Sequence, residues 1–179
     1  MTIVAPELVD FCCLAAYRSG DGPSVRIHEA FLLSGDGLNC VRVLLANDRS
    51  SVCVRVAAIL ELEFEVVGTV ANGRDLLIES KRLRPDVVVL DISMPFVDGI
   101  EAAEKLQASD FKPAILFLTV QDRPEFVRAG LATGALGYVT KSCLTTDLLT
   151  AMHEILAGRQ FISPLLQSHF DHLRKEDPR

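Results

Sequence analysis

The sequence predicts an α/β protein: a doubly wound, five-stranded parallel sheet flanked by five helices. Three observations carry that expectation. From Val41 onward, short β-branched and leucine runs alternate five times with longer segments of helical periodicity. The third run, VVVLD (87–91), is apolar without alternation, as expected of a strand covered on both faces. Hydrophobic residues make up 49% of the chain and aromatics only 6%, so the core material is aliphatic and suits parallel strands beneath helices.

VRVLLAN (41–47) reads as the first strand, and SSVCVRVAAILELE (50–63) as the first helix, with Val52, Val56, Ile59 and Leu60 at helical spacing. FEVVGTVA (64–71) is the second strand. GRDLLIESKRLR (73–84) is the second helix, with Leu76, Leu77 and Leu83 on one side and Pro85 ending it. DVVVLD (86–91) and GIEAAEKLQAS (99–109) form the third pair. In the fourth, PAILFLT (113–119) precedes RPEFVRAGLATG (123–134), where Pro124 suits the first helical turn. ALGYVTK (135–141) is a short fifth strand, followed by an amphipathic helix in LTTDLLTAMHEILAG (144–158) on Leu144, Leu148, Met152 and Ile155. Right-handed crossovers connect such strands. Their functional groups gather at the carboxyl ends of the strands, near the switch in strand order.

Residues 1–40 contain Gly20, Gly22, Pro23, Gly35 and Gly37 without sustained period, and read as a poorly ordered extension preceding a native start near Val41. The folded unit spans 41–164. Residues 165–179 read as a charged tail or a truncated linker that frays. A net charge of -6 gives no basic surface for nucleic acid. The five cysteines (Cys12, Cys13, Cys40, Cys53, Cys143) form no CxxC pair and no zinc spacing, and read as free thiols of a reducing compartment. The N-terminus lacks a basic signal-peptide region, and no apolar run is long enough to span a membrane. These features point to a cytoplasmic protein with no membrane partner.

The strand ends carry Asn47 and Asp48, Asp91, Thr119 and Lys141. Taken singly, each has an ordinary reading: an aspartate caps a turn, a threonine follows β-propensity, a lysine is solvated. Together they place two carboxylates, an amide, a hydroxyl and an ammonium in one crevice. Two aspartates at about 4 Å would repel by roughly 4 kcal/mol at an effective dielectric of 20. Mg²⁺ reverses that sign and takes oxygen ligands from few carboxylates. It commonly accompanies phosphate, for which Lys141 and the Thr119 hydroxyl are suitable partners. Asp91 is then a nucleophile set among a metal, a hydroxyl and a cation.

The stretches LLANDR, EVVGTVANGRDLL, RPDVVVLDISMPFVDGIEA, LFLT, GALGYVTK and EILAGRQFISP resemble the receiver domain of bacterial response regulators, within the NarL/FixJ (LuxR-type) branch. The resemblance covers about 41–164 and implies the flavodoxin-like receiver fold. It implies that Asp91 accepts a phosphoryl group from a histidine kinase or phosphotransfer protein. No enzymatic role is implied beyond self-phosphorylation from small donors and autodephosphorylation. Asp48, Asp91 and the Ser93 carbonyl would hold Mg²⁺, with Asn47 acting through a water. Thr119 and Lys141 would contact the phosphoryl group. Thr119 and Tyr138 would form the switch, and the face between the fourth and fifth helices would meet a target or a second copy in a homodimer. Ser93 and Gln121 fall where receivers tune phosphoryl lifetime.

Two features depart from the pattern. Asn47 stands where receivers usually carry an acid. In this branch FISP normally leads to a helix-turn-helix domain, whereas this sequence ends soon after, so the expectation is a receiver without that domain and no direct DNA binding by this chain. Two other classes fit parts of the pattern. One is a pseudo-receiver that binds partners without phosphorylation, for which Asn47 speaks. The other is an aspartyl-nucleophile hydrolase, which would place a second aspartate where Ser93 stands.

Overall fold

Each of the first five described strands leads into a helix that cannot bury its apolar stripe alone, and the chain resolves this by laying helices on both faces of one sheet. The computed structural model of the chain describes residues 40–120 and 124–167. The elements in order are β1 (Arg42–Ala46), α1 (Ser50–Leu60), β2 (Glu65–Val70), α2 (Gly73–Leu83), β3 (Val87–Asp91), α3 (Gly99–Gln107), β4 (Ala114–Thr119), α4 (Pro124–Ala132), β5 (Gly137–Thr140), α5 (Leu144–Leu156) and β6 (Phe161–Ile162). A single 3₁₀ turn, Lys141–Cys143, joins β5 to α5.

The sheet order is β2-β1-β3-β4-β5-β6, with every pair parallel. β3 and β4 are buried along their whole length, as their unbroken apolar runs require. Two apolar clusters cover the two faces. Val56 and Leu60 of α1 join Leu148, Met152 and Ile155 of α5 on one face. On the other, Leu76 of α2, Leu106 of α3 and Val127 of α4 pack against Leu90, Phe117 and Tyr138. Strand order reverses between β1 and β3, so the crevice at that switch point opens where Asp48 follows β1 and Asp91 ends β3.

Local signals fix the edges of the elements nearest the crevice. Asp98 caps α3, its side chain accepting from the Glu101 amide at 2.9 Å. The Gly99 amide donates to the Ile92 carbonyl at 2.8 Å, folding the β3–α3 loop back onto the strand end. A Cβ at Gly99 would lie 2.1 Å from the Asp91 carbonyl oxygen, so only glycine lets α3 begin this close to Asp91.

The five-stranded expectation needs one correction. A sixth strand, Phe161–Ile162, pairs with β5: the Phe161 amide donates to the Leu136 carbonyl and the Ser163 amide to the Tyr138 carbonyl, each at 2.8 Å. After α5 the chain turns through Gly158 (φ 72) and returns alongside the free edge of β5. Two residues are too few to show strand alternation in a sequence. Packing continues through Leu166, which is fully buried. The extension over residues 1–39, most of the charged tail and Gln121 lie outside the described residues.

Candidate functional site

Asp91 closes β3 and is only 4% exposed. A carboxylate that far from water needs partners. Lys141, the first residue after β5, supplies its ammonium to Asp91 Oδ2, and both side chains are nearly buried. The other oxygen, Oδ1, receives one long hydrogen bond of 3.4 Å from the Ser93 amide. Thr119 ends β4, the strand lying between β3 and β5, and is buried. Of the residues expected at the strand ends, Asp91, Lys141 and Thr119 are thus gathered at adjacent strand termini.

Asn47 and Asp48 follow β1 with opposite fates. Asn47 is buried, its amide nitrogen held by the Val70 carbonyl at 3.0 Å, and Asp48 is exposed. The Asn47 side-chain oxygen accepts from the Arg49 amide at 2.9 Å, which fixes the carboxamide and leaves Nδ2 buried without a partner. Nδ2 is a donor, complementary to an oxygen rather than to a metal ion. Ser93 is exposed at the start of the β3–α3 loop.

Tyr138 lies on β5, fully buried, its ring 5.8 Å from that of Phe117. Its hydroxyl has no hydrogen bond of sound geometry, although it lies close enough for the Thr119 side chain to influence it. Burial pushes the phenol well above the ordinary tyrosine range, with Thr119 opposing and Asp91 adding to the rise.

Three contributors were not legible in the sequence. Cys53 of α1 donates its thiol to the Asn47 carbonyl at 3.5 Å. Burial raises that thiol, a backbone hydrogen bond and Lys141 lower it, and Asp48 and Asp91 raise it, which locates it beside the crevice. Phe96 is 87% exposed and has φ 68 at the apex of a γ-turn, closed by the Val97 amide on the Pro95 carbonyl at 2.9 Å. Gly130 of α4 faces the Phe117 and Tyr138 rings, where a Cβ would lie 3.0 Å and 3.1 Å away. Cysteine, phenylalanine and glycine at these positions carry no spacing signal, and their meaning comes only from what folds against them.

The site is thus a doubly wound parallel sheet with a lysine-held carboxylate at the end of β3 and a buried threonine on the strand between the pair. The chain belongs to the response regulator receiver domain family, whose family model matches residues 43–153. It is similar to the response regulator GacA of Pseudomonas aeruginosa, 32% identical over 126 residues, which is 69% of this chain and 59% of GacA. The chain therefore spans about three-fifths of the length of that relative. Among solved structures it resembles the signal receiver domain of NarL from Mycobacterium tuberculosis, with TM-score 0.65 and 29% identity over 68% of this chain and all of that one. It also resembles a LuxR-family two-component response regulator from Aurantimonas sp., with TM-score 0.72 and 30% identity over 76% of this chain and 99% of that one. Receiver domains of this family signal within two-component systems and are not enzymes in the ordinary sense. Among the described residues no helix is long and apolar enough to cross a membrane.

Proposed function

We propose that this chain is a phospho-accepting switch, with Asp91 as the acceptor and a histidine kinase or phosphotransfer protein as donor. The observation that carries the reading is the Lys141–Asp91 pair: the ammonium holds Oδ2 and leaves Oδ1 nearly unencumbered. Oδ1 attacks the donor phosphorus, the P–N bond of a phosphohistidine breaks, and its electron pair remains on the imidazole nitrogen. The products are an aspartyl phosphate and a free histidine. Lys141 and the Thr119 hydroxyl then meet the added phosphoryl oxygens.

Asp48, Asp91 and the Ser93 carbonyl would hold Mg²⁺: every donor is an oxygen and two are carboxylates, a set that suits this ion, although the described residues contain no cluster of three or more His, Cys, Asp or Glu. When bound, the ion would offset the charge that gathers between carboxylate and phosphoryl oxygens. The unpartnered Asn47 Nδ2 suits a water or phosphoryl oxygen at the same crevice. Thr119 and Tyr138 serve as the switch, and the face formed by α4, β5 and α5 meets a target protein or a second copy. The supporting feature is burial of Tyr138 beside Thr119.

Incubation with acetyl phosphate and Mg²⁺ tests the reading by intact mass. Wild type should gain one phosphoryl group and release acetate, whereas Asp91→Ala should gain none. A wild type that stays unlabelled under saturating donor would overturn the phospho-acceptor reading.

A further inference from the structure

β5 would be an open sheet edge between α4 and α5, but the chain's own segment Phe161–Gln167 lies along it. Phe161 packs with the α5 side of the sheet, and Ile162 and Leu166 with the α4 side, in the cluster that contains Tyr138. The segment is therefore seated on the very face from which this domain would speak to a partner.

Beyond the ladder bond from the Phe161 amide to the Leu136 carbonyl, its polar attachment concentrates on one residue. Ser163 is fully buried. Its amide donates to the Tyr138 carbonyl at 2.8 Å, and its hydroxyl donates to Asp147 Oδ2 of α5 at 2.5 Å. The same hydroxyl accepts from the Thr140 amide at a long 3.3 Å. Its carbonyl accepts from the Leu166 amide at 2.8 Å and the Gln167 amide at 3.1 Å, which folds the end of the segment into a helical turn. Thr140 immediately precedes Lys141, whose ammonium holds Asp91. Ser163 thus grips both the residue that carries the proposed switch aromatic and the residue next to the site lysine.

We infer that Phe161–Gln167 is a latch on the output edge, closed by Ser163 and governed by the state of the Asp91–Lys141 pair. The inference rests on the phospho-receiver reading. A phosphoryl group on Asp91 draws the Lys141 ammonium outward, and the backbone at Thr140–Lys141 follows. The long Thr140–Ser163 hydrogen bond is the weakest link and parts first. Release uncovers the β5 edge and the apolar seat of Leu166, so the face opens to a partner only in the phosphorylated state.

Amide exchange over 161–167, read with intact mass on the same samples, tests this. With acetyl phosphate and Mg²⁺, exchange in that segment should rise at least about threefold in wild type, while exchange in the strand β3 stays constant. Ser163→Ala should still accept the label, exchange rapidly in 161–167 without it, and show little further rise with it. If Ser163→Ala folds poorly, wild type with and without label decides alone. Labelling with unchanged exchange in 161–167 would overturn the latch and leave the receiver reading intact. Absence of labelling would overturn both.

Discussion

Lys141 reaches over a strand to meet Asp91. Asp91 ends β3 and Lys141 follows directly on β5, with β4 between the two strands, so the ion pair bridges two strand spacings, about 10 Å of sheet. Thr119 at the end of β4 lies in that span and is buried with them. The pair gives the carboxylate at the end of a fully buried strand a direct counter-charge.

Lys141→Met should therefore destabilise the protein by about 2 kcal/mol, less than the roughly 3–5 kcal/mol of a fully enclosed pair because the crevice is open on one side. Combining it with Asp91→Asn should recover part of the loss, because no charge is then left unpaired. Additive losses in urea melts of the two single variants and the double variant would show that the pair is not coupled.

Tyr138→Phe should leave stability unchanged or raise it by up to about 1 kcal/mol, since the buried hydroxyl has no sound hydrogen bond to lose. The raised phenol pKa adds a pH signature. Stability from the buried neutral phenol is fully present below the unfolded value near 10 and declines as pH rises above it. Urea melts at pH 8 and about pH 10.5 should thus diverge more for wild type than for Tyr138→Phe. Equal divergence would mean that Tyr138 is not the alkaline-sensitive group.

Much of this was readable in advance, for a physical reason. VVVLD and AILFLT are unbroken apolar runs that only a doubly covered strand explains, and Asp91 is conspicuous because it ends one of them. Lys141 and Thr119 stand out because each closes a strand run, and their pairing with Asp91 follows from the receiver resemblance. By contrast, β6 is two residues long, and its pairing is held by backbone groups that carry no side-chain pattern. Ser163 resembles any loop serine until Asp147 and Thr140 fold against it. Burial of Asn47 and exposure of Asp48, adjacent in sequence, follow from the turn after β1 and not from residue type.

Gly130→Ala sets two effects against each other. Alanine favours the helix by about 1 kcal/mol, but its Cβ would press on the Phe117 and Tyr138 rings, and overpacking costs about 1–3 kcal/mol. The net effect should be a loss of about 1 kcal/mol, partly relieved when Phe117→Leu makes room. A stabilised Gly130→Ala protein in thermal melts would show that the rings yield freely.

Phe96 occupies a left-handed conformation without burying its ring. Phe96→Gly should match or exceed wild-type stability by up to about 1 kcal/mol, because relief of strain offsets the added freedom of the unfolded chain. Phe96→Val should lose stability, since a β-branched residue tolerates positive φ least. Identical melts for both variants would argue against strain at the γ-turn.

Asn47→Asp should keep the hydrogen bond from the Arg49 amide and add a buried charge beside Asp48 and Asp91. Without Mg²⁺ the variant should melt lower than wild type. With Mg²⁺ it should recover and bind the ion more tightly, by about 1–3 kcal/mol at an effective dielectric of 20 or above. Unchanged Mg²⁺ affinity by calorimetry would remove the crevice as a metal site.

The central claim is that Asp91 itself becomes the acyl phosphate, and locating the modified residue tests it most directly. After acetyl phosphate and Mg²⁺, borohydride reduction converts an aspartyl phosphate to homoserine, which peptide mass mapping assigns to a position. The conversion should fall on Asp91 alone and vanish in Asp91→Ala. Homoserine at Asp48 or any other aspartate in wild type, or equal labelling of Asp91→Ala, would contradict the account.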